Sequence, residues 1–286
     1  MNSSRIELNQ VEFLLLKDYI EQECGIVIRD EKAYLIESKL VRLVNETHSK
    51  TFRDFYLKAK DDKSGKLKSK IIDAMTINET MWFRDVKPWT ILRELLIPQY
   101  IDALRSNRKE KVIIWSMAAS TGQEAYSTAL LIDEALKKEP AVTTDRFVIL
   151  GTDISASALY MAISGRYSQL MMSRGMLEGY PEKYFTESNS IFEIKSEIKQ
   201  MVKFFQFNLI DDFAKIPVCD LVLCRNVAIY FSNELKKNLF KKVSGKISTD
   251  GHLFLGATEN LLGVSEDFEQ LEYQKGIYFK PKKRRG

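Results

Sequence analysis

Near residue 75 the spacing of apolar residues along the chain changes character. Before it, "VEFLLLKDYIEQ" (11–22) and "AYLIESKLVRLV" (33–44) repeat apolar positions every three or four residues, and "FRDFYLKA" (52–59) adds a shorter run of the same kind. That spacing stacks the apolar side chains on one face of a helix, so residues 8–75 read as helical throughout. "KAKDDKSGKLKSK" (58–70) is charged, with Ser-Gly at its centre, and reads as a solvated loop followed by the start of another helix. Later in the chain come short runs rich in Val, Ile, Leu and Phe: "VIIWSM" (112–117), "RFVILGTD" (146–153), "VKFFQF" (202–207), "CDLVLCR" (219–225) and "HLFLGAT" (252–258). Helical stretches follow the first, second and fourth, at 123–137, 155–163 and 232–248. Strands apolar on both faces and alternating with helices predict a parallel α/β sheet covered on both sides.

Residues 166–200 interrupt the alternation, and "YFTESNSIFEI" (184–194) within them has the composition of a small hairpin, so the segment reads as an insertion. "GIYFKP" (276–281) predicts a last strand and "KPKKRRG" (280–286) a frayed basic tail. The expected division is a helical domain over 1–75, a linker and helix over 76–110, and a sheet domain over 111–286 carrying the insertion at about 166–200.

Composition narrows the function classes. With 286 residues, 45% hydrophobic and 29% charged, the chain suits one or two globular domains with an ordinary core. A formal net charge of +4 is too mild for a dedicated nucleic-acid binder. No apolar run is long enough to span a membrane, and "MNSSRIELNQ" lacks the basic and apolar regions of a signal peptide. Cys24, Cys219 and Cys224 contain no CxxC pair, which fits core cysteines in a reduced cytoplasmic protein. The only histidines are His48 and His252, which argues against a histidine-based metal site and against a Ser–His triad.

"IIWSMAASTGQEAYS" (113–127) reads as strand, turn and helix start, the unit that usually holds a nucleotide. A phosphate site needs glycine-rich backbone and a helix N-terminus free of negative charge. Here Gly122 is the loop's only glycine, and Glu124 puts a carboxylate in the first helical turn. A pyrophosphate would be repelled, whereas a nucleoside with positive charge and no phosphate would not. S-adenosylmethionine is such a ligand. Asp153, ending the second strand run, stands where a carboxylate accepts hydrogen bonds from ribose hydroxyls. It equally reads as the N-cap of the helix that begins near Ser155.

"TINETMWFRD" (76–85), "GTDIS" (151–155), "FQFNLID" (205–211), "DLVLCRNVAIYFS" (220–232) and "GHLFLGATEN" (251–260), together with the loop above, closely resemble the CheR-type chemotaxis methyltransferases. The resemblance runs from about residue 10 to residue 280. It implies a Rossmann-like class I methyltransferase sheet domain with an all-helical N-terminal domain and a small antiparallel β-subdomain inserted. It also implies methyl transfer from S-adenosylmethionine to glutamate side chains of bacterial chemoreceptors, without a metal and without nucleic acid or direct membrane insertion. Carried over residue by residue, Asn78, Thr80 and Arg84 close over the cofactor, and Glu124 and Asp153 keep the roles argued above. Asn208 and Leu209 come near the adenine, Asn226 and Val227 lie at the end of the fourth strand, and Tyr230 stands beside the methyl group and the incoming carboxylate. Lys39, Arg42 and Arg53 would face the acidic methylation helices of the receptor, although Glu31, Glu37 and Glu46 balance that region and make a solvated face an open alternative.

Two departures matter. Some family members carry an arginine-rich turn after the F-R segment; here "ELLIPQY" (94–100) stands in its place, so that arginine is either missing or replaced by Arg93 one turn earlier. Members that dock a receptor's C-terminal pentapeptide have a longer, glycine-containing loop in the subdomain, whereas "TESNS" (186–190) is short and lacks glycine. Tether docking is therefore not expected. The competing functions are a methyltransferase acting on another substrate and an inactive, cofactor-binding regulatory module.

Overall fold

The computed structural model describes residues 6–282. Four helices open the chain: α1 (Gln10–Cys24), α2 (Ala33–Glu46), α3 (Phe52–Asp61) and α4 (Lys66–Met75). Their apolar faces meet in one core that includes Phe13, Leu16, Ile36, Leu40, Phe52, Phe55 and Ile71, each at most 1% exposed. At the start of α1, Asn9 and Glu12 form a reciprocal capping box, and Glu12 also accepts from the Arg53 N–H, which fixes α3 against α1. The charged stretch 58–70 is shorter as a loop than its composition predicts. Lys58–Asp61 complete α3 and only residues 62–65 turn, because Asp62 accepts from the backbone of Ser64 and Leu67 and so closes a tight connection into α4.

Gly25 ends α1 at φ 77°, a left-handed position, and a Cβ there would stand 2.5 Å from Leu235 Cδ2 and 3.1 Å from Ile210 Cγ2. Glycine is required on both counts, conformation and close approach. The helical part docks on the rest of the chain through this turn.

A strap, residues 76–85, leads into α5 (Val86–Ile91) and α6 (Ile97–Arg105), joined by a π-helical turn over Leu92–Leu96. Pro98 has no N–H and its ring crowds the carbonyl four residues earlier, so the wider turn relieves the helix there. The chain then runs β1 (Val112–Met117), α7 (Gln123–Leu136), β2 (Phe147–Asp153), α8 (Ala156–Ser164) and β3 (Arg166–Ser168). Next come α9 (Gln169–Met172), α10 (Tyr180–Tyr184), β4 (Phe185–Ser188), β5 (Ile191–Ile194) and α11 (Ser196–Lys199). It ends with β6 (Val202–Gln206), β7 (Cys219–Cys224), α12 (Asn233–Ser244), β8 (Ile247–Leu255), β9 (Phe268–Tyr273) and β10 (Gly276–Pro281).

The main sheet has the order β6-β2-β1-β7-β8-β10-β9. Strands β6, β2, β1, β7 and β8 are parallel, while β10 runs antiparallel to both β8 and β9. The insertion contributes a separate antiparallel sheet, β3-β5-β4. This is the Rossmann-like architecture with an all-helical N-terminal part that the sequence predicts.

Three details differ from expectation. The helix after β7 stops at Ser244, not 248, because Gly245 caps it and Ile247 already pairs with Cys219. The hairpin at 184–194 gains a third strand, β3, through Tyr167↔Phe192 pairing. Strand β9 was not anticipated: after buried Phe268 its "FEQLEY" alternates half-buried and exposed positions, as the outermost strand of a sheet does. The last strand, β10, runs over 276–281 as expected and keeps Lys280 and Pro281, where the expected strand and tail overlapped; the tail beyond residue 282 lies outside the described residues. No helix among the described residues is long and apolar enough to cross a membrane.

His252 on β8 is half-buried against Tyr278, and that burial, with Lys280 nearby, pulls its pKa down to about 4. The folded chain therefore binds this proton less readily than the unfolded one, whose imidazole titrates near 6.5. Stability is lost as pH falls through that interval. Relative to His252→Phe, the wild type should lose about 2 kcal/mol between pH 7 and pH 4.5 in urea unfolding. Parallel losses in the two proteins would contradict the assignment.

Candidate active site

The parallel strands reverse direction of winding between β1 and β7: β2 and β6 lie to one side, β8 to the other. In sheets of this kind the loops diverge at that point and leave a crevice beyond the carboxyl ends of the strands. A cavity of about 960 Å³ opens there, partly exposed to solvent. Its walls come from the β1, β2, β6 and β7 ends, from the strap, and from the end of α1.

Asn78, Thr80, Arg84, Glu124, Asp153, Asn208, Leu209, Asn226, Val227 and Tyr230 all line this one cavity. They come from five separate segments of the chain. The three cations expected to meet a partner lie elsewhere. Arg42 is exposed and ion-paired to Glu46 at 2.7 Å, Arg53 is exposed, and half-buried Lys39 donates to the Met75 and Thr76 carbonyls at 3.4 Å. Burial lowers the Lys39 pKa. Arg93, the substitute considered for a missing arginine, does not reach the cavity. It lines a separate cleft with Glu134 and Tyr180, donating to the Tyr180 hydroxyl at 3.4 Å.

The β1–α7 loop is strained in a way that aims its backbone. Ala118 and Ser120 adopt φ 51° and Gly122 φ 95°. Non-glycine residues take this region at a cost and hold it only where surroundings enforce it. Here the enforcement is visible: the Ala119 N–H donates to Thr152 O at 2.7 Å and the Ser120 N–H to Asp153 Oδ2 at 2.7 Å. Asp153 also accepts from the Ser155 N–H at 2.9 Å through its other oxygen. Asp153 does not cap α8; Ser155 does, accepting from the Ala158 N–H at 3.1 Å. Burial raises the Asp153 pKa, and the two backbone donors hold it down. Each carboxylate oxygen still has a lone pair free for a hydroxyl donor.

Glu124 is held differently from a free anion at a helix end. Its carboxylate accepts from the Ser116 hydroxyl at 2.7 Å and from Arg225 Nη1 at 2.8 Å. Burial raises its pKa, and the Arg225 charge opposes the shift. Arg225, at the end of β7, is 5% exposed. Besides Glu124 it donates through Nη2 to the Arg84 carbonyl and to Asp85 Oδ2, the latter at 3.0 Å, and its guanidinium lies 5.4 Å from the centre of the Trp89 ring. The next residue, Asn226, has φ 58° and donates its N–H to Glu259 Oε2 at 2.5 Å; Glu259 Oε2 also accepts from the Gly256 N–H at 2.8 Å. Arg225, Asp85, Ser120 and Glu259 were not singled out from sequence. The available signal was one arginine adjoining the fully buried run "CDLVLC".

The helical part closes the site. Asn208 Nδ2 donates to the Glu23 carbonyl at 2.7 Å, and the Val27 N–H to the Tyr230 carbonyl at 2.9 Å. Cys24, whose thiol is pushed up to about 11 by burial, lines the cavity beside them. Tyr230 keeps its phenol proton at neutral pH, since burial raises its pKa and the Arg84 charge only partly offsets this. Arg84 Nη1 donates to the Glu79 carbonyl at 3.2 Å.

Three carboxylates (Glu79, Glu124, Asp153) and two guanidiniums (Arg84, Arg225) line the cavity, an excess of one negative charge. Such a lining repels polyphosphate and accepts a ligand bearing both a carboxylate and cationic groups. S-adenosylmethionine has that charge pattern. Arg225 Nε is buried without a protein partner. No group of histidines, cysteines and acids that could hold a metal ion occurs among the described residues.

Sheet order, strand-end acids and charge pattern together define a Rossmann-like methyltransferase. The chain belongs to the CheR methyltransferase family: the family's SAM-binding domain matches residues 78–277 and its all-alpha domain residues 11–76. It is similar to chemotaxis protein methyltransferase 1 of Pseudomonas aeruginosa, with 35% identity over 95% of this chain and 98% of that one. The chemotaxis protein methyltransferase of Vibrio parahaemolyticus is 34% identical over 97% of this chain and 99% of its own, and the Pseudomonas putida methyltransferase Cher2 33% identical over 95% and 98%. The chain is thus an S-adenosylmethionine-dependent methyltransferase of the chemotaxis type.

Removing the Arg225 charge tests the electrostatic core of the site. Arg225→Met leaves Glu124 and Asp85 without their cation and should cost about 3–5 kcal/mol in urea unfolding. A cost below about 1 kcal/mol would mean that the buried pairing is not what holds these segments together.

Proposed function

We propose that the protein transfers the methyl group of S-adenosylmethionine to glutamate side-chain carboxylates of bacterial chemoreceptors, forming glutamate methyl esters. The observation that carries this reading is the convergence of ten side chains from five segments on one cavity. These are the residues to which the family resemblance assigns cofactor and catalytic roles.

A glutamate carboxylate is already ionised at neutral pH, so the transfer needs no strong general base. The chemistry is an in-line displacement: the carboxylate oxygen forms a bond to the methyl carbon as the carbon–sulfur bond breaks, and the sulfonium electron pair returns to sulfur. Positioning supplies most of the advantage in such a reaction. Two opposite charges are lost on transfer, and a cavity with partly excluded water favours that loss. In this reading Asp153 accepts from the ribose hydroxyls. Asn78, Thr80 and Glu124 bind the methionine end, while Asn208, Leu209, Asn226 and Val227 surround the base. Tyr230, a neutral phenol at working pH, donates a hydrogen bond to the incoming carboxylate and does not remove a proton. Arg84 supplies the neighbouring positive charge. Exposed Arg42 and Arg53, with Lys39, are the proposed docking cations for acidic receptor helices. The protein is proposed to work in the cytoplasm, on the receptors' cytoplasmic helices.

The decisive assay supplies tritiated S-adenosylmethionine and chemoreceptor-bearing membranes. Label should enter the receptor and leave as volatile methanol on mild base treatment, whereas base-stable label would overturn the ester assignment. For the cofactor, Asp153→Asn keeps an acceptor for Ser120 and removes the charge. Calorimetry should show S-adenosylhomocysteine binding weakened by about 1–2 kcal/mol, the difference between charge-assisted and neutral hydrogen bonds. Unchanged affinity would refute the ribose role.

A further inference from the structure

Asp85 lies behind the cavity lining, bonded to Arg225, and the proposed chemistry does not use it. It sits at φ 59° and ψ 97°, with Phe83 two residues earlier at φ 45°. No side-chain bond from Asp85 caps α5, so helix capping does not account for that backbone. Its carboxylate points the other way: Oδ2 accepts from Arg225 Nη2 at 3.0 Å and from the Ala257 N–H at 3.4 Å. Through one oxygen, the strap reaches the ends of both β7 and β8. Arg225 Nη2 is shared with the carbonyl of Arg84, which also accepts from Trp89 Nε1 at 2.8 Å.

At its other end the strap is pinned by weaker, neutral contacts. Ser120 Oγ donates to the Asn78 carbonyl at 2.9 Å, and Asn78 Nδ2 approaches Ser155 Oγ at 3.4 Å. Its middle is held by the Trp82 N–H to the Arg174 carbonyl at 3.1 Å and by the Phe83 N–H to Ser127 Oγ at 3.2 Å. Only the Asp85 end is charge-assisted, and it lies next to Arg84, whose side chain lines the cavity.

We infer that Asp85 is a positioning residue: its ion pair with Arg225 latches the strap onto the sheet and thereby sets where Arg84 stands in the cofactor cavity. The latch joins a loop at residue 85 to a strand end at residue 225, so the site is complete only when the strap is down. Asp85 is partly exposed, its side chain at 29%, so its substitution does not open the core. Asp85→Glu keeps the charge with one more methylene and serves as the conservative rescue. The inference builds on the reading of this cavity as the S-adenosylmethionine site, and one arm of its test is independent of that reading.

Two measurements on the full chain decide it. In calorimetry with S-adenosylhomocysteine, Asp85→Asn should weaken binding about tenfold in the wild-type background, the scale of one charge-assisted bond, and less than about twofold in an Arg84→Ala background. Asp85→Glu should recover most of the loss. An equal loss in both backgrounds would make Asp85 merely structural, and no loss in the wild-type background would remove the latch altogether. In amide hydrogen exchange without ligand, residues 83–87 of Asp85→Asn should exchange several-fold faster, with the strands and α1–α4 unchanged. Unchanged exchange at 83–87, or faster exchange throughout, would overturn the proposal. Should the wild type not bind S-adenosylhomocysteine, the function proposed above fails while the exchange arm still judges the latch.

Discussion

A single buried cation organises the candidate active site. Arg225 leaves the end of the most buried strand and meets Glu124 from the first helix of the sheet domain and Asp85 from the strap. Burying a guanidinium is costly unless its donors are matched with good geometry. The chain meets this requirement at both Nη atoms, with two carboxylates, a carbonyl and an aromatic face, and leaves only Nε unpartnered. Those partners are 101 and 140 residues away in sequence, so the same contacts that satisfy the charge also fix the relative placement of three otherwise independent segments.

Backbone strain gathers around the same point. Ala118, Ser120, Phe83, Asp85 and Asn226 all have positive φ without being glycine. Four of them are over-determined by a specific bond nearby: Ser120 by Asp153, Phe83 by Ser127, Asp85 by Arg225, and Asn226 by Glu259. Strain that is held in place this way is a form of preorganisation, since the loops cannot relax toward ordinary conformations before a ligand arrives. The helical part contributes to the same rigidity through Gly25, Val27 and the Glu23 carbonyl, so the cavity is walled by both parts of the chain.

The fold was largely legible because its information is local. Parallel strands buried on both faces appear as unbroken apolar runs, and five such runs became β1, β2, β6, β7 and β8. What escaped were elements with little apolar contrast: three-residue β3, whose pairing depends on the hairpin beside it, and β9, an outer strand carrying two glutamates. In the site, Glu124 and Asp153 were legible as carboxylates at strand and helix ends, positions where a charge needs a reason. The compensation of Glu124 by Arg225 was not, because a contact across 101 residues leaves no periodicity to read. Arg93 failed as a substitute for the same reason: one helical turn along the sequence faces it toward Tyr180 and a different cleft.

The account stands on a cationic, phosphate-free nucleoside lying between the carboxylates of Glu124 on α7 and Asp153 on β2, with its sulfur turned toward Tyr230. The most direct test is a crystal structure of the protein with S-adenosylhomocysteine. It should show both ribose hydroxyls within hydrogen-bond distance of Asp153 and the sulfur on the Tyr230 side of the cavity. A ligand bound elsewhere, or ribose hydroxyls turned away from Asp153, would contradict it.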